Sequence, residues 1–211
     1  MTLLAPAPHY YDHAIFHGVS WEDYERVLEE IGNGSTRVNY LDGVMEIMSP
    51  LPGHDKAKMA FGYLIGEMAT ELRIRRKSYG STTFRYDKKK AGVEPDDSFY
   101  FHEIDSIKAM ERFDPMIHRA PDLVIEVDLM KSSMPREAIL ARLGVPELWR
   151  YKHHRITVRL LEGKEYVTAP RSKLFPMLPL DQFAEFVQKM IEEDETQTLL
   201  DFRQWVRNLP R

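Results

Sequence analysis

The sequence predicts an α/β domain in which a β-sheet is flanked by helices and followed by a helical C-terminal extension. Three observations predict it. A strand–turn–strand pattern around Asp42-Gly43 runs into a long helix with an apolar stripe. The run Leu123-Val124-Ile125-Glu126-Val127 has the density of a buried central strand, and a helix and three short strands follow it. Two further helical patterns close the chain. At 211 residues the chain is long enough for one good core and short for two domains.

Residues 1–19 read as an irregular arm, with Pro6, Pro8 and several aromatics. Ser20 then starts a helix: Asp23 stands at a capping-box-like spacing, and Trp21, Tyr24, Val27, Leu28 and Ile31 share a face. Gly32, Asn33 and Gly34 end it. The hairpin comes next, flanking Asp42-Gly43 and closed by Pro50, Pro52 and Gly53. A helix is expected over residues 55–76, with Ala57, Ala60, Phe61, Leu64, Ile65, Met68 and Leu72 at helical spacing. Strands are expected at 81–86 and 97–101, joined by the basic stretch Asp87-Lys88-Lys89-Lys90-Ala91-Gly92. After the central strand a helix over 134–143 meets its stop at Gly144 and Pro146. A meander at 148–151, 156–161 and 165–168 precedes helices near 181–193 and 199–206. The division is an arm (1–19), a main domain (20–170) and a helical extension (171–211) packed on that domain.

Composition narrows the function. There is no cysteine, which excludes disulfides and thiolate zinc sites and suits the cytoplasm. The first residues lack a basic segment followed by an apolar one, so no signal peptide is expected. No run approaches the roughly 20 apolar residues that span a bilayer. The net charge of −4 gives no global attraction to nucleic acid, so any such binding must use a local basic patch. Lys88, Lys89, Lys90 and the basic residues of 73–77 are the candidates, although a charge run is more often solvated surface.

The chemistry-bearing candidates are acids in the wrong place for surface residues. Glu126 sits inside an apolar strand, where a carboxylate is costly unless it is paired or binds a cation. Strand alternation puts Val124, Glu126 and Asp128 on one face, so two like charges stand close, a repulsion that a cation or an Arg or Lys partner would relieve. In Glu94-Pro95-Asp96-Asp97 the proline marks a turn or strand edge, and Asp96 shares a face with Ser98 and Tyr100. Read alone, that stretch is an acidic turn; read with Glu126, it is half of a site. Glu46 is the polar exception on the Val44, Glu46, Met48 face. His54 is in register with the buried stripe of the following helix, as a core residue, a cap or a site member. An oxygen-rich set of this kind suits Mg²⁺ or Mn²⁺ better than zinc. No phosphate-binding Gly-rich loop and no serine-hydrolase elbow is present.

These segments resemble a known family. Tyr-Leu-Asp-Gly-Val-Met-Glu-Ile-Met-Ser-Pro with His54 after it, Val-Glu-Pro-Asp-Asp-Ser-Phe-Tyr-Phe, Ala-Pro-Asp-Leu-Val-Ile-Glu-Val-Asp and Gly-Val-Pro-Glu-Leu-Trp-Arg-Tyr stand in the order seen in the Uma-two family. That family is assigned to the PD-(D/E)XK superfamily of restriction-endonuclease-like proteins, and the resemblance covers about residues 20–170. It implies a mixed central sheet flanked by helices, DNA as substrate, Mg²⁺ or Mn²⁺ as cofactor, and frequently a homodimer. Asp96 would match the Asp of the first half-motif, Glu126 the acid of the second, and Glu46 and His54 accessory positions. The chain departs from the pattern after Glu126, where the usual Lys is Asp128. The family often supplies that Lys from the next helix, where this chain has Arg136; Lys131 is the nearby alternative. Arginine keeps the charge but is a poor base. The expected function is a metal-dependent DNA endonuclease. The alternatives are a weak or inactive nuclease-fold module that binds nucleic acid or protein, and a hydrolase of another phosphoester.

Overall fold

The protein is described by a computed structural model that covers residues 13–32, 36–49, 52–107, 110–128 and 134–210. The first third holds β1 (His13–His17), α1 (Trp21–Ile31), β2 (Arg37–Leu41), β3 (Val44–Met48) and α2 (Pro52–Glu71). Next come β4 (Lys77–Ser78), β5 (Phe84–Tyr86), β6 (Ala91–Val93), β7 (Asp97–Tyr100) and α3 (Ile104–Ile107). The remainder is β8 (Leu123–Val127), α4 (Arg136–Leu143), β9 (Glu147–Lys152), β10 (Arg155–Glu162), β11 (Glu165–Ala169), α5 (Leu180–Glu192) and α6 (Glu195–Arg207).

Local chemistry explains the early elements. The Ser20 Oγ accepts from the Asp23 amide at 3.0 Å and caps α1. Asp42 and Gly43 both take positive φ, 47° and 87°, the turn that an Asp-Gly pair favours. That turn fixes the β2–β3 register, with Asn39 opposite Glu46 and Arg37 opposite Met48. β1-β3-β2-β6-β5 form a five-stranded antiparallel sheet, capped by Trp21 and Tyr24 of α1 on Val38, Tyr40 and Met45. Gly92 is required here, because a Cβ on it would lie 2.1 Å from the Tyr24 hydroxyl oxygen.

The second sheet runs β11-β10-β9-β8-β7-β4 and is mixed: β8 and β9 are parallel, with α4 as their crossover, and the other pairs are antiparallel. β8 lies near its centre and buries both faces. Leu123, Ile125 and Val127 pack with Phe99 and Trp149 in the cluster shared with α2, α5 and α6; Val124 packs on the other side with Tyr100, Leu148, α4 and Phe84 of β5. The α/β class, the hairpin, the central strand and the meander all agree with the sequence reading. No described helix is long and apolar enough to cross a membrane.

Four expectations need correction. The arm is not wholly irregular, because residues 13–17 pair with β3 as an edge strand; residues 1–12 lie outside the described part. The sheet expected as a single one is two, and β5 and β7 belong to different ones. The basic stretch between them contains β6, which pairs with β2 and so carries the first sheet. α2 ends at Glu71 rather than near residue 76, because Arg73 takes a positive φ of 56° and the Ile74 amide donates back to the Ala69 carbonyl.

The C-terminal helices complete the core. Phe183, Val187, Phe202 and Val206 join the same cluster as Phe61 and Ile125. Glu71 at the end of α2 accepts from Arg203 Nε at 2.6 Å and from Arg207 Nε at 2.7 Å. Those guanidinium groups, Arg207 foremost, hold its carboxyl down at about 2, below the ordinary 4.5. A carboxylate whose pKa is depressed by folding stabilises the fold above its unfolded pKa and loses that effect as pH falls towards the folded value. Stability should therefore drop between about pH 4.5 and 2, and Glu71→Gln should flatten that part of the curve. Urea midpoints across this range test it; an unchanged slope in the variant would count against the clamp.

Glu147, at the start of β9, is a buried carboxylate with a full set of donors. Trp149 Nε1 and Ser172 Oγ donate at 2.6 Å each, and the Lys173 and Leu174 amides at 2.9 and 3.2 Å. It pins the loop that brings Phe175 onto Trp149. Glu147→Ala leaves four donors unmet and should cost about 3 kcal/mol in urea unfolding. A loss below about 0.5 kcal/mol, the level of an ordinary surface change, would refute this role.

Candidate active site

The site forms where the two sheets and α2 meet. Asp97 pairs with Ile125 across β7 and β8, so Asp96, one residue earlier, faces the Glu126 position. Alternation then sends Asp96 and Glu126 to the face that carries Val124 and Tyr100, and Asp97 to the opposite one. Asp97 lies beside Ser78, Ser98 and Lys58, and burial pushes its carboxyl up to about 6.

Asp96 has no exposed surface, two hydrogen-bond donors and an imidazole beside it. Arg37 Nη1 of β2 bonds its Oδ1; the Val127 amide donates to Oδ2 at 2.6 Å, and His54 Nε2 of α2 lies 3.0 Å from the same oxygen. Burial, then Arg37 and Arg136, push the His54 imidazole down to about 4. It is therefore neutral near pH 7. Its part is to hold one Asp96 oxygen in place.

Glu126 is held from the other side. Arg136 Nη2 lies 3.0 Å from each of its oxygens and also donates to the Glu94 carbonyl at 2.8 Å. Burial raises the Glu126 pKa, and Arg136 and Arg37 offset only part of that rise. Glu46 joins through Asn39, whose Nδ2 donates to Glu46 Oε2 at 3.2 Å and whose Oδ1 accepts from the Glu94 amide at 3.3 Å. Burial also raises the Glu94 carboxyl.

Asp96, Glu126, Arg136, Glu46 and His54 thus belong to one buried polar cluster. Lys131 lies outside the described residues. Asp128, expected beside Glu126, is engaged by Arg150, whose Nε donates at 2.7 Å. Sequence reasoning missed Arg37, Asn39 and Glu94. The signal was present: Asp-Gly at the turn fixes Asn39 opposite Glu46, and Arg37 and Asn39 alternate on the same strand face. A cleft of about 360 Å³ reaches the cluster at Glu126 and Arg136.

Among the described residues no three His, Asp or Glu side chains converge as a complete cage for a cation. Mg²⁺ does not need one. It is commonly held by one or two carboxylates, keeps several waters and takes further oxygens from substrate phosphates. Asp96 and Glu126, all-oxygen donors opposed across neighbouring strands, fit that demand. Both now carry guanidinium partners, so a cation would compete with Arg37 and Arg136 for the same oxygens.

Comparison with known proteins adds the following. A family profile for Uma2, described as "Putative restriction endonuclease", matches residues 21–190. A crystal structure described as "a putative nuclease belonging to DUF820 from Anabaena variabilis ATCC 29413" superposes with a TM-score of 0.51 at 15% identity, covering 82% of this chain and 96% of that one. At that identity the likeness speaks for the fold. No curated protein matches the chain.

The Arg37–Asp96 pair is the cluster's structural tie. Removing one member of a buried pair strands the other, at a cost of about 3–5 kcal/mol. Arg37→Met should lose about that much, and adding Asp96→Asn should recover part of it. A double-mutant cycle in urea reads the coupling; simple additivity of the two changes would mean the pair is not coupled.

Proposed function

We propose a function from the premise that this chain belongs to the Uma2 family: it is a metal-dependent endonuclease that hydrolyses phosphodiester bonds in DNA. The observation that carries this reading is the opposition of buried Asp96 and Glu126 across β7 and β8, with Arg136 on Glu126.

In this reading Asp96 and Glu126 hold Mg²⁺ or Mn²⁺, with Glu46 at the margin. A divalent cation, when bound, supplies an activated water and neutralises charge on the phosphate. The rest is done by the chain. His54, neutral at pH 7, fixes the Asp96 oxygen that it touches. Arg136 stands where the family has its lysine and offers a fixed positive charge to the scissile phosphate. Arginine is not deprotonated in proteins, so it stabilises charge and does not act as base. The substrate is DNA, and the cysteine-free chain suits the cytoplasm.

A second reading has one observation of its own. Both central acids are matched by arginines, and the lysine that serves elsewhere as the flexible cation is replaced by Arg136. That arrangement favours a nuclease-fold module that binds nucleic acid or a protein without cutting.

Plasmid DNA with Mg²⁺ or Mn²⁺ separates the two. The wild type should nick or linearise it, and Glu126→Ala should not. Arg136→Ala should lower the rate by about 10²–10³, the usual effect of losing one electrostatic contact to the transition state. Lys131→Ala should change it far less. Mn²⁺ should raise the melting temperature of wild type and of Arg136→Ala, but hardly that of Asp96→Asn. A wild type inert with both metals would favour the non-cutting module, and an equal metal shift in Asp96→Asn would move the metal elsewhere.

A further inference from the structure

A second cleft, of about 1070 Å³, lies over α4 between two turns that belong to different sheets. One wall is the β5–β6 turn with Lys88, Lys89 and Lys90; the other is the β10–β11 turn with Gly163 and Lys164. The floor is α4 and its end, where Pro135, Ala138, Ala141 and Gly144 are small enough to admit a close backbone. This cleft shares Pro135 and Glu137 with the smaller cleft at Glu126 and Arg136. We propose that it seats the sugar–phosphate backbone of one DNA strand and leads that strand to Glu126 and Arg136. The inference rests on the nuclease reading above.

Charge is the first argument. Six cationic side chains line the cleft against three carboxylates, a net of +3 in a chain whose net is −4. An acidic protein that binds DNA must concentrate its positive charge where the phosphates run. The cations also divide into two sets. Arg142 is paired with Asp42, Arg159 with Glu137, and Lys90 with Asp87. Lys88, Lys89 and Lys164 have no carboxylate partner among the described residues, and Lys89 rests its ammonium 5.5 Å above the Tyr86 ring. Their charge is free for a phosphate.

Dimensions are the second argument. α4 has eight residues, so it is about 12 Å long. A strand laid along that length brings a few successive phosphates into the cleft. Continuity with the Glu126 cleft is the third. It favours a ligand that the site acts upon. The other basic run makes the contrast. Arg75 is paired with Asp105, Arg76 lies against Gly66, and Lys77 sits over Tyr79. In that run Arg75 has a carboxylate partner, whereas Lys88, Lys89 and Lys164 of the cleft have none among the described residues.

The test is binding, kept apart from cleavage. A short fluorescent DNA duplex is titrated with the protein in EDTA, by anisotropy, over about 50–200 mM salt, the range in which phosphate contacts dominate. The triple variant Lys88→Gln, Lys89→Gln, Lys164→Gln is compared with wild type and with Arg75→Gln, Lys77→Gln. These side chains bear no core load, so the urea midpoints should agree. Each lost phosphate contact flattens the log K against log salt plot by about 0.9, so the triple variant should be shallower by about 2–3 and bind about a hundredfold more weakly at 0.1 M salt. The Arg75, Lys77 variant should match wild type. Equal slopes for wild type and the triple variant would overturn the cleft while leaving the nuclease reading to the plasmid assay. No duplex binding by wild type, or lysine-dependent binding of polyglutamate instead, would overturn it too.

Discussion

The buried charge of Asp96 is the constraint around which the molecule is arranged. A carboxylate without any exposed surface must be met by polar partners, and its partners come from three places far apart in sequence: Arg37 on the first sheet, His54 on α2 and the Val127 amide on β8. Asp96 thereby joins the first sheet to the second and α2 to both. Each of the three contacts has its own support. The Asp-Gly turn sets the strand register that aims Arg37, the apolar stripe of α2 seats His54, and the central position of β8 fixes the amide. The polar cluster is also the seam between the layers, so site geometry and domain stability cannot be tuned separately.

Most of the second sheet was legible because its signals are local. Leu123–Val127 is apolar at every position but one, and the meander after it is cut by Gly144, Pro146 and Gly163. The helix N-terminus at Ser20 and the hairpin were legible for the same reason. What escaped was long-range pairing. β6 is three residues, Ala91-Gly92-Val93, with no alternation to announce it, and it is a strand because β2 and β5 flank it. The early end of α2 depends on a positive φ at Arg73, a residue type that gives no warning of one.

The site was half legible. Asp96, Glu126, Glu46 and His54 stood out as polar residues in apolar periodicity, and that is a property of sequence. Their partners did not, because an arginine on a strand such as Arg37 reads as surface until its register is known. The pairing of Asp128 with Arg150 shows the reverse case. Two acids on one strand face need not share a ligand, because a cation on the neighbouring strand can take one of them first.

The docking of α5 and α6 has a consequence for a shortened chain. Phe183, Phe202 and Val206 pack in the cluster that α2 lays over β8, so α5 and α6 close the outer side of α2 and a stretch of β10 rather than β8 itself. A chain cut short before α5 would present that apolar surface to solvent, where it favours association with other chains.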